Sequence, residues 1–135
     1  MATDGLTTLR SSYDPGETMN RLEDAVKAKG MTVFARIDHA AGAAQVGLPL
    51  APTELLVFGH ARAGTPLMQS VQTIGIDLPL KALVWRDASG TTWLSYNDPG
   101  WIAKRHGLGR EAGAAVSAMS AALAAVAAAA TGSPS

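Results

Sequence analysis

Apolar residues recur every three or four positions from Met19 through Leu22 to Val26, with charges on the opposite side. This spacing predicts an amphipathic helix over about 15–29. Its ends carry their own signals. Asp14 is a good N-cap, Pro15 suits the first helical position, Glu17 completes a capping box, and Gly30 allows a left-handed stop. Before it, Leu6–Arg10 alternates as a short strand. After it, Met31–Asp38 reads as a strand with Val33, Ala35 and Ile37 on one face and Thr32, Phe34 and Arg36 on the other. Asp38 can cap a short helix over His39–Gln45, and Gly47, Pro49 and Pro52 mark a loop. Thr53–Phe58 is apolar and β-prone and ends at Gly59. Thr65 and Pro66 then look like a cap and first turn, with Leu67 and Met68 pointing inward.

Pro79–Arg86 and Thr91–Tyr96 form a hairpin pattern around Asp87–Gly90. The simplest register sets Leu83 against Leu94 and Val84 against Trp93. One face then carries Leu83, Trp85, Leu94 and Tyr96, and the other Val84 and Trp93, so both are partly apolar. An antiparallel sheet with one wet face alternates more cleanly. Helices on both sides, a partner chain or a ligand must therefore shelter it. Asp98 and Pro99 open a short helix ending near His106-Gly107, and Glu111–Ala130 is a last, Ala-rich helix. The order β-α-β-α-β-α-β-β-α-α mixes helices with a mainly antiparallel sheet, which is the α+β class.

Composition changes this picture in two ways. The chain has 135 residues, enough for one domain. Twelve of its 26 alanines fall between Glu111 and Ala130, so the 47% hydrophobic content overstates the apolar area that drives folding. The last helix is of spanning length but poor in large apolar side chains, and it reads as a core helix packed through small residues. Lys plus Arg and Asp plus Glu each number 11, so no basic field exists for nucleic acid or an anionic membrane. There is no cysteine, which excludes thiol catalysis and thiolate metal sites. Met-Ala-Thr-Asp-Gly has neither a basic nor an apolar leader region, and a cytoplasmic location is expected.

Several groups could carry chemistry. Asp38 could orient His39 as a proton-moving acid or base at a strand end. Equally, Asp38 could only cap a helix while His39 packs, since neighbouring strand residues point in opposite directions. Arg62, Gly64 and Thr65 resemble an anion cradle at a helix start, or an ordinary capped turn. Tyr96, Asn97, Asp98 and Trp101 combine aromatic surface with hydrogen-bonding tips, suiting either a small-molecule pocket or a capped turn with Trp101 in the core. His39, His60 and His106 are the candidate ligands for a divalent metal, should the fold gather them with Asp38 or Asp98, or for haem, should one of them lie near Met68 or Trp101. Glu54 reads as a solvated strand edge, and no Gly-x-Ser-x-Gly elbow occurs.

Five strings in order resemble the family called domain of unknown function 302. They are Phe34–Gly42 (FARIDHAAG), Thr53–Gly59 (TELLVFG), Ala63–Met68 (AGTPLM), Asp77–Trp85 (DLPLKALVW) and Trp93–Pro99 (WLSYNDP). The likeness runs from about Leu6 to Leu108 and leaves the Ala-rich helix outside. It implies a TBP-like α+β domain of a bacterial or archaeal protein that tends to dimerise, and no established reaction. Residues 1–5 are then a flexible N-terminus, 6–108 the domain, 109–130 the Ala-rich helix and 131–135 a disordered tail. A small-ligand-binding or interaction domain acting as a homodimer is the leading expectation. A His39/Asp38 enzyme with Arg62 as its anion site comes second, and a histidine-ligated haem or metal protein third.

Overall fold

A computed structural model of the chain describes residues 3–133. Five strands form one antiparallel sheet in the order β1-β5-β4-β3-β2, where β1 is Leu6–Arg10, β2 Thr32–Asp38, β3 Thr53–Gly59, β4 Leu80–Arg86 and β5 Thr92–Asn97. The helices are α1 (Pro15–Ala28), α2 (His39–Gln45), α3 (Ala61–Ser70), α4 (Pro99–Arg105) and α5 (Gly113–Thr131), with 3₁₀ turns at Gln72–Ile76 and Arg110–Ala112. The α+β class and its antiparallel sheet follow the hydrophobic pattern.

One sheet face builds the core. Leu56 and Phe58 of β3, Leu80, Ala82 and Val84 of β4, and Leu94 of β5 are buried against Met19, Leu22 and Val26 of α1 and Met119, Leu123 and Val126 of α5. The stripe read from the sequence in α1 is therefore its buried face, and the Asp14 carboxylate accepts from the Glu17 N–H at 2.8 Å as an N-cap does. The alanines of α5 let it lie close to α1: Ala127 and Ala130 are buried with the large residues, and Thr131 closes the helix end by donating its hydroxyl to the Ala127 carbonyl. Thr131 is thus helical, and Ser133 donates back to the Ala128 carbonyl. Of the tail expected over 131–135, residues 134 and 135 lie outside the described residues, as do residues 1 and 2 of the expected N-terminal segment. Within that segment Leu6 N–H donates to the Thr3 carbonyl, and Asp98 N–H donates to the Gly5 carbonyl at 2.7 Å.

The hairpin register differs from the expected one by a single residue. Val84 faces Leu94, Trp85 faces Trp93, and Leu83 faces Ser95. The cause is the turn. Asp87 N–H pairs with the Thr91 carbonyl, Asp87 accepts from Ser89 and Thr91 N–H groups through Oδ1, and Gly90 takes φ +84°. This closes a three-residue loop instead of a two-residue one and flips every later side chain. The two indoles consequently share one face, stacked with centroids 6.2 Å apart. Trp93 donates to Asp87 and Trp85 to Ser95. Burial pushes the Tyr96 phenol upward, although its bond with Thr7 pulls the other way.

β2 holds a second correction. Val33 pairs with Phe58 and Ala35 with Val57, so the chain bulges at Phe34. Val33 joins the core face, whereas Ala35 and Ile37 join the opposite one, and the predicted shared face of these three is lost. On that opposite face Ile37, Leu55, Val57, Leu83, Trp85 and Trp93 are half-buried or exposed, while α1 and α5 pack on the core face.

α3 starts five residues earlier than expected. His60 is its N-cap, with Nδ1 accepting from the Arg62 N–H at 3.1 Å, and Pro66 lies inside the helix. Thr65 is therefore not a cap. Pro66 sits within the second turn, where its missing N–H leaves the Arg62 carbonyl without its usual donor.

Candidate functional site

A half-open cleft of about 700 Å³ runs between α3 and α5. Its size lies within the range of about 300–1,000 Å³ found for small-molecule pockets. Three features of the fold make it. β3 delivers the chain to α3 at Gly59, the bulge of β2 swings Phe34 toward this end, and Leu78-Pro79 enters β4 beside Gly59. α5 supplies a wall of Ala115, Ala118, Met119 and Ala122. Small side chains on that wall leave the space open, where leucines at the same positions would fill it. Met31, Met68 and Leu78 complete an apolar interior, and Lys29, His60 and Arg62 are the charged or titratable groups of the lining.

The register sets these polar groups together. Thr32 pairs with Gly59, so the end of α1 with Lys29 lies beside the start of α3 with His60 and Arg62. Among the described residues, no Asp or Glu lines the cleft. Among the described residues, neither Lys29 nor Arg62 has a carboxylate partner within 4.0 Å. With His60 Nδ1 accepting a backbone N–H, the neutral ring carries its proton on Nε2.

The candidate residues of the sequence divide around this cleft. Arg62, Gly64 and Thr65 line it, but within α3 rather than leading into a helix start at Thr65-Pro66. Gly64 is not obligatory either: a Cβ there would meet Leu78 and Met68 at ordinary contact distances of 3.6 and 3.8 Å. Tyr96, Asn97, Asp98 and Trp101 lie outside the lining. They anchor the N-terminal segment. Gly5 takes φ +75° beneath Trp101, where a Cβ would run into the indole, and the Arg105 guanidinium lies 5.9 Å above that ring. Asp98 receives Ile102 N–H on its backbone carbonyl and makes no side-chain cap bond.

Asp38 caps α2 by accepting from Ala41 N–H at 2.9 Å, and both it and His39 are exposed. The pairing Asp38↔Glu54 against Thr32↔Gly59 puts His39 and Arg62 at opposite ends of the β2–β3 pair. Six strand residues separate them by about 20 Å. The acid–base site with Arg62 as its anion holder is not assembled. Nor do the three histidines gather: His39 follows β2, His60 caps α3 and His106 follows α4, and among the described residues no group of three or more His, Asp or Glu could hold a metal. Glu54 is not a solvated edge, because Arg36 donates to both its oxygens at 2.6 and 3.2 Å and reaches Asn20 and Glu23 as well. Lys27 and Arg36 together hold the Glu23 carboxyl below the usual range.

The sequence missed a half-buried polar cluster. His106 donates or accepts at both ring nitrogens, to Asp77 Oδ2 at 2.6 Å and Thr73 Oγ1 at 3.0 Å, while Arg105 contacts both Asp77 oxygens. The His106 side chain is 8% exposed and that of Asp77 13%. These residues lie 29 positions apart, so no local spacing reveals them. They clamp the segment after α3 to the end of α4 and open onto no cleft of the site. Burial pushes the Asp77 carboxyl up, but the His106 bond and the Arg105 charge outweigh it and hold the group below the usual 3.8. A carboxylate with a depressed folded pKa contributes stability above its unfolded value and loses it as pH falls through the folded one. Asp77→Asn is expected to cost about 1–3 kcal/mol at pH 7. Denaturant titrations from pH 7 downward should show wild type and variant converging below the unfolded value of 3.8.

A two-layer α+β domain with a five-stranded antiparallel sheet and a cleft walled by its last helix is the class that these features define. The family described as "Domain of unknown function DUF302" matches residues 7–126, and the chain belongs to it. That stretch takes in most of α5, which the sequence likeness had left outside; the helix contributes Met119, Leu123, Val126, Ala127 and Ala130 to the shared core. The solved structure titled "Crystal structure of uncharacterized conserved protein DUF302 from Bacillus stearothermophilus" is similar in fold at TM-score 0.81 and 21% identity, over 92% of this chain and 96% of that one. Among curated proteins, "Fluoride-specific ion channel FluC 1" of Brucella suis biovar 1 (strain 1330) is 50% identical over 115 residues, 85% of this chain and 45% of that protein. Its namesake in Brucella abortus biovar 1 (strain 9-941) is 50% identical over 85% of this chain and 43% of its own length. The chain spans less than half the length of these relatives.

Proposed function

We propose that this domain binds a small apolar molecule in the cleft between α3 and α5 and pairs with a second copy through the opposite sheet face. The observation that carries the first part is the cleft itself: about 700 Å³, walled mostly by apolar groups, with Lys29, His60, Arg62 and Thr65 as its few polar residues. Pockets that hold small molecules have this composition, with few polar groups to fix orientation. The apolar face with Trp85 and Trp93 supports the pairing, since contiguous exposed apolar patches mark interaction surfaces.

α5 is long and apolar enough to cross a membrane by length and composition. Its Met119, Leu123, Val126, Ala127 and Ala130 share one core with α1 and the sheet, which supports a core-helix role. The channel named in the Brucella relatives is therefore attributed here to the parts of those longer proteins that this chain does not match.

Ala118 sits on the open wall of the cleft and is exposed. Fluorescence titration with 1-aminoanthracene, a neutral apolar probe, should show saturable one-site binding. Ala118→Trp should weaken it by about tenfold or more by filling the space, with the melting temperature retained. Absence of saturable binding, or equal binding by the variant, overturns the cleft as a binding site.

A further inference from the structure

We infer that the ligand of this cleft is an amphiphile with one anionic head and a flexible aliphatic tail, of the long-chain carboxylate class. The inference rests on the reading of the cleft as a binding site and adds the chemistry of its occupant.

Three observations carry it. First, the charge is one-sided. Lys29, His60 and Arg62 all line the cleft, and among the described residues no Asp or Glu does, in a chain whose 11 basic and 11 acidic residues balance. Second, that charge is uncommitted. Neither Lys29 nor Arg62 has a carboxylate within 4.0 Å among the described residues, so each is free to meet a ligand's charge. An unpaired guanidinium and ammonium at the mouth of an apolar cavity favour a carboxylate, which the planar Arg fork can take in two parallel bonds. The His60 Nε2–H adds a neutral donor at the same end of the β2–β3 pair. Third, the apolar lining is suited to a chain rather than a ring. Met31, Met68 and Met119 are unbranched and polarizable and adapt to a flexible neighbour, and Phe34 is the only aromatic side chain in the lining. A flat aromatic ligand finds one stacking surface there; an alkyl tail finds a continuous wall of methylenes and alanine methyls.

The polar end and the apolar wall come from different elements. Lys29, His60 and Arg62 belong to the ends of α1 and the start of α3, and α5 contributes Ala115, Ala118, Met119 and Ala122. Head and tail are thus read by separable sets of residues. A carboxylate headgroup is committed at one end while the tail lies along α5.

The test is a head-group series at constant tail. Isothermal titration calorimetry with dodecanoate, dodecanol and dodecyltrimethylammonium, each below its micellar concentration, compares an anion, a neutral head and a cation on one chain length. Dodecanoate is expected to bind at least tenfold more tightly than dodecanol, and the cation more weakly still. In the Lys29→Gln/Arg62→Gln double variant the first two should come within about twofold, through loss of dodecanoate affinity alone. The retained dodecanol affinity reports that the variant is folded. Equal binding of dodecanoate and dodecanol by the wild type overturns the anionic head and leaves the cleft intact as a binding site. Failure of 1-aminoanthracene and all three amphiphiles overturns both. Dodecanoate uptake that declines as protein concentration rises shows a second copy seated in the cleft, and this also overturns the proposal.

Discussion

Phe58→Ala is expected to destabilise the domain by about 3–5 kcal/mol, the upper range for a single core truncation. Phe58 is the largest fully buried side chain, on the central side of β3, flanked across the strands by Val33 and Leu80. Helix α1 covers it through Met19, Leu22 and Val26, themselves without exposed surface. Because the core is lined by alanines along α5, few large neighbours are free to collapse into the void. A domain of this size holds only about 5–15 kcal/mol of net stability. Thermal unfolding followed by circular dichroism should therefore show a drop on the order of 10–20 °C, or a chain that does not fold. Phe58→Leu, which keeps most of the volume, should lose a fraction of that amount. A shift of under 3 °C for the alanine variant would mean that this core is not packed as described.

The second large effect concerns the face carrying the stacked indoles. Leu83 is half-buried at the middle of it, with Leu55 on one side and Ser95 on the other. On the proposed pairing, Leu83→Asp places a carboxylate where two copies meet, and each contact then contains the same charge twice. Desolvating an unpaired carboxylate is costly, and self-association should weaken by at least about a hundredfold, equivalent to about 3 kcal/mol. Sedimentation velocity at micromolar concentration should give a dimer for the wild type and a monomer for the variant. The variant should fold, because Leu83 points away from the core formed by Ala82 and Val84. Tryptophan emission offers a second readout: Trp85 and Trp93 should shift to longer wavelength as the partner leaves. A wild-type monomer under these conditions overturns the pairing.

Periodicity made most of the fold legible, and it failed where two segments had to be aligned. The stripe Met19-Leu22-Val26 and the Asp14 cap were readable because both are local. The hairpin slipped by one residue because Asp87 spends its side chain on the Ser89 and Thr91 amides, which lengthens the loop. The bulge at Phe34 has no local signature, since Val33-Phe34-Ala35 alternates as any strand does. The start of α3 was misplaced because Thr65-Pro66 imitates a helix start more strongly than His60 does. Of the site, Arg62, Gly64 and Thr65 were found for a reason the structure replaces: they line a cleft between helices instead of cradling an anion ahead of a helix that starts at Pro66. Met68 was named only as a companion to a histidine, and Met31, Phe34 and Met119 were not named as site residues at all. Each is an ordinary apolar residue until the tertiary fold shows that small alanines stand across from it.

The irregularity at Phe34 also governs how copies of this chain can grow. β2 lies at one margin of the sheet, and a regular margin would accept a further strand edge to edge, chain after chain. An extra residue there breaks the row of amide groups that such a filament needs. On the proposed pairing, copies meet instead through the broad face, which closes on itself once two molecules have met.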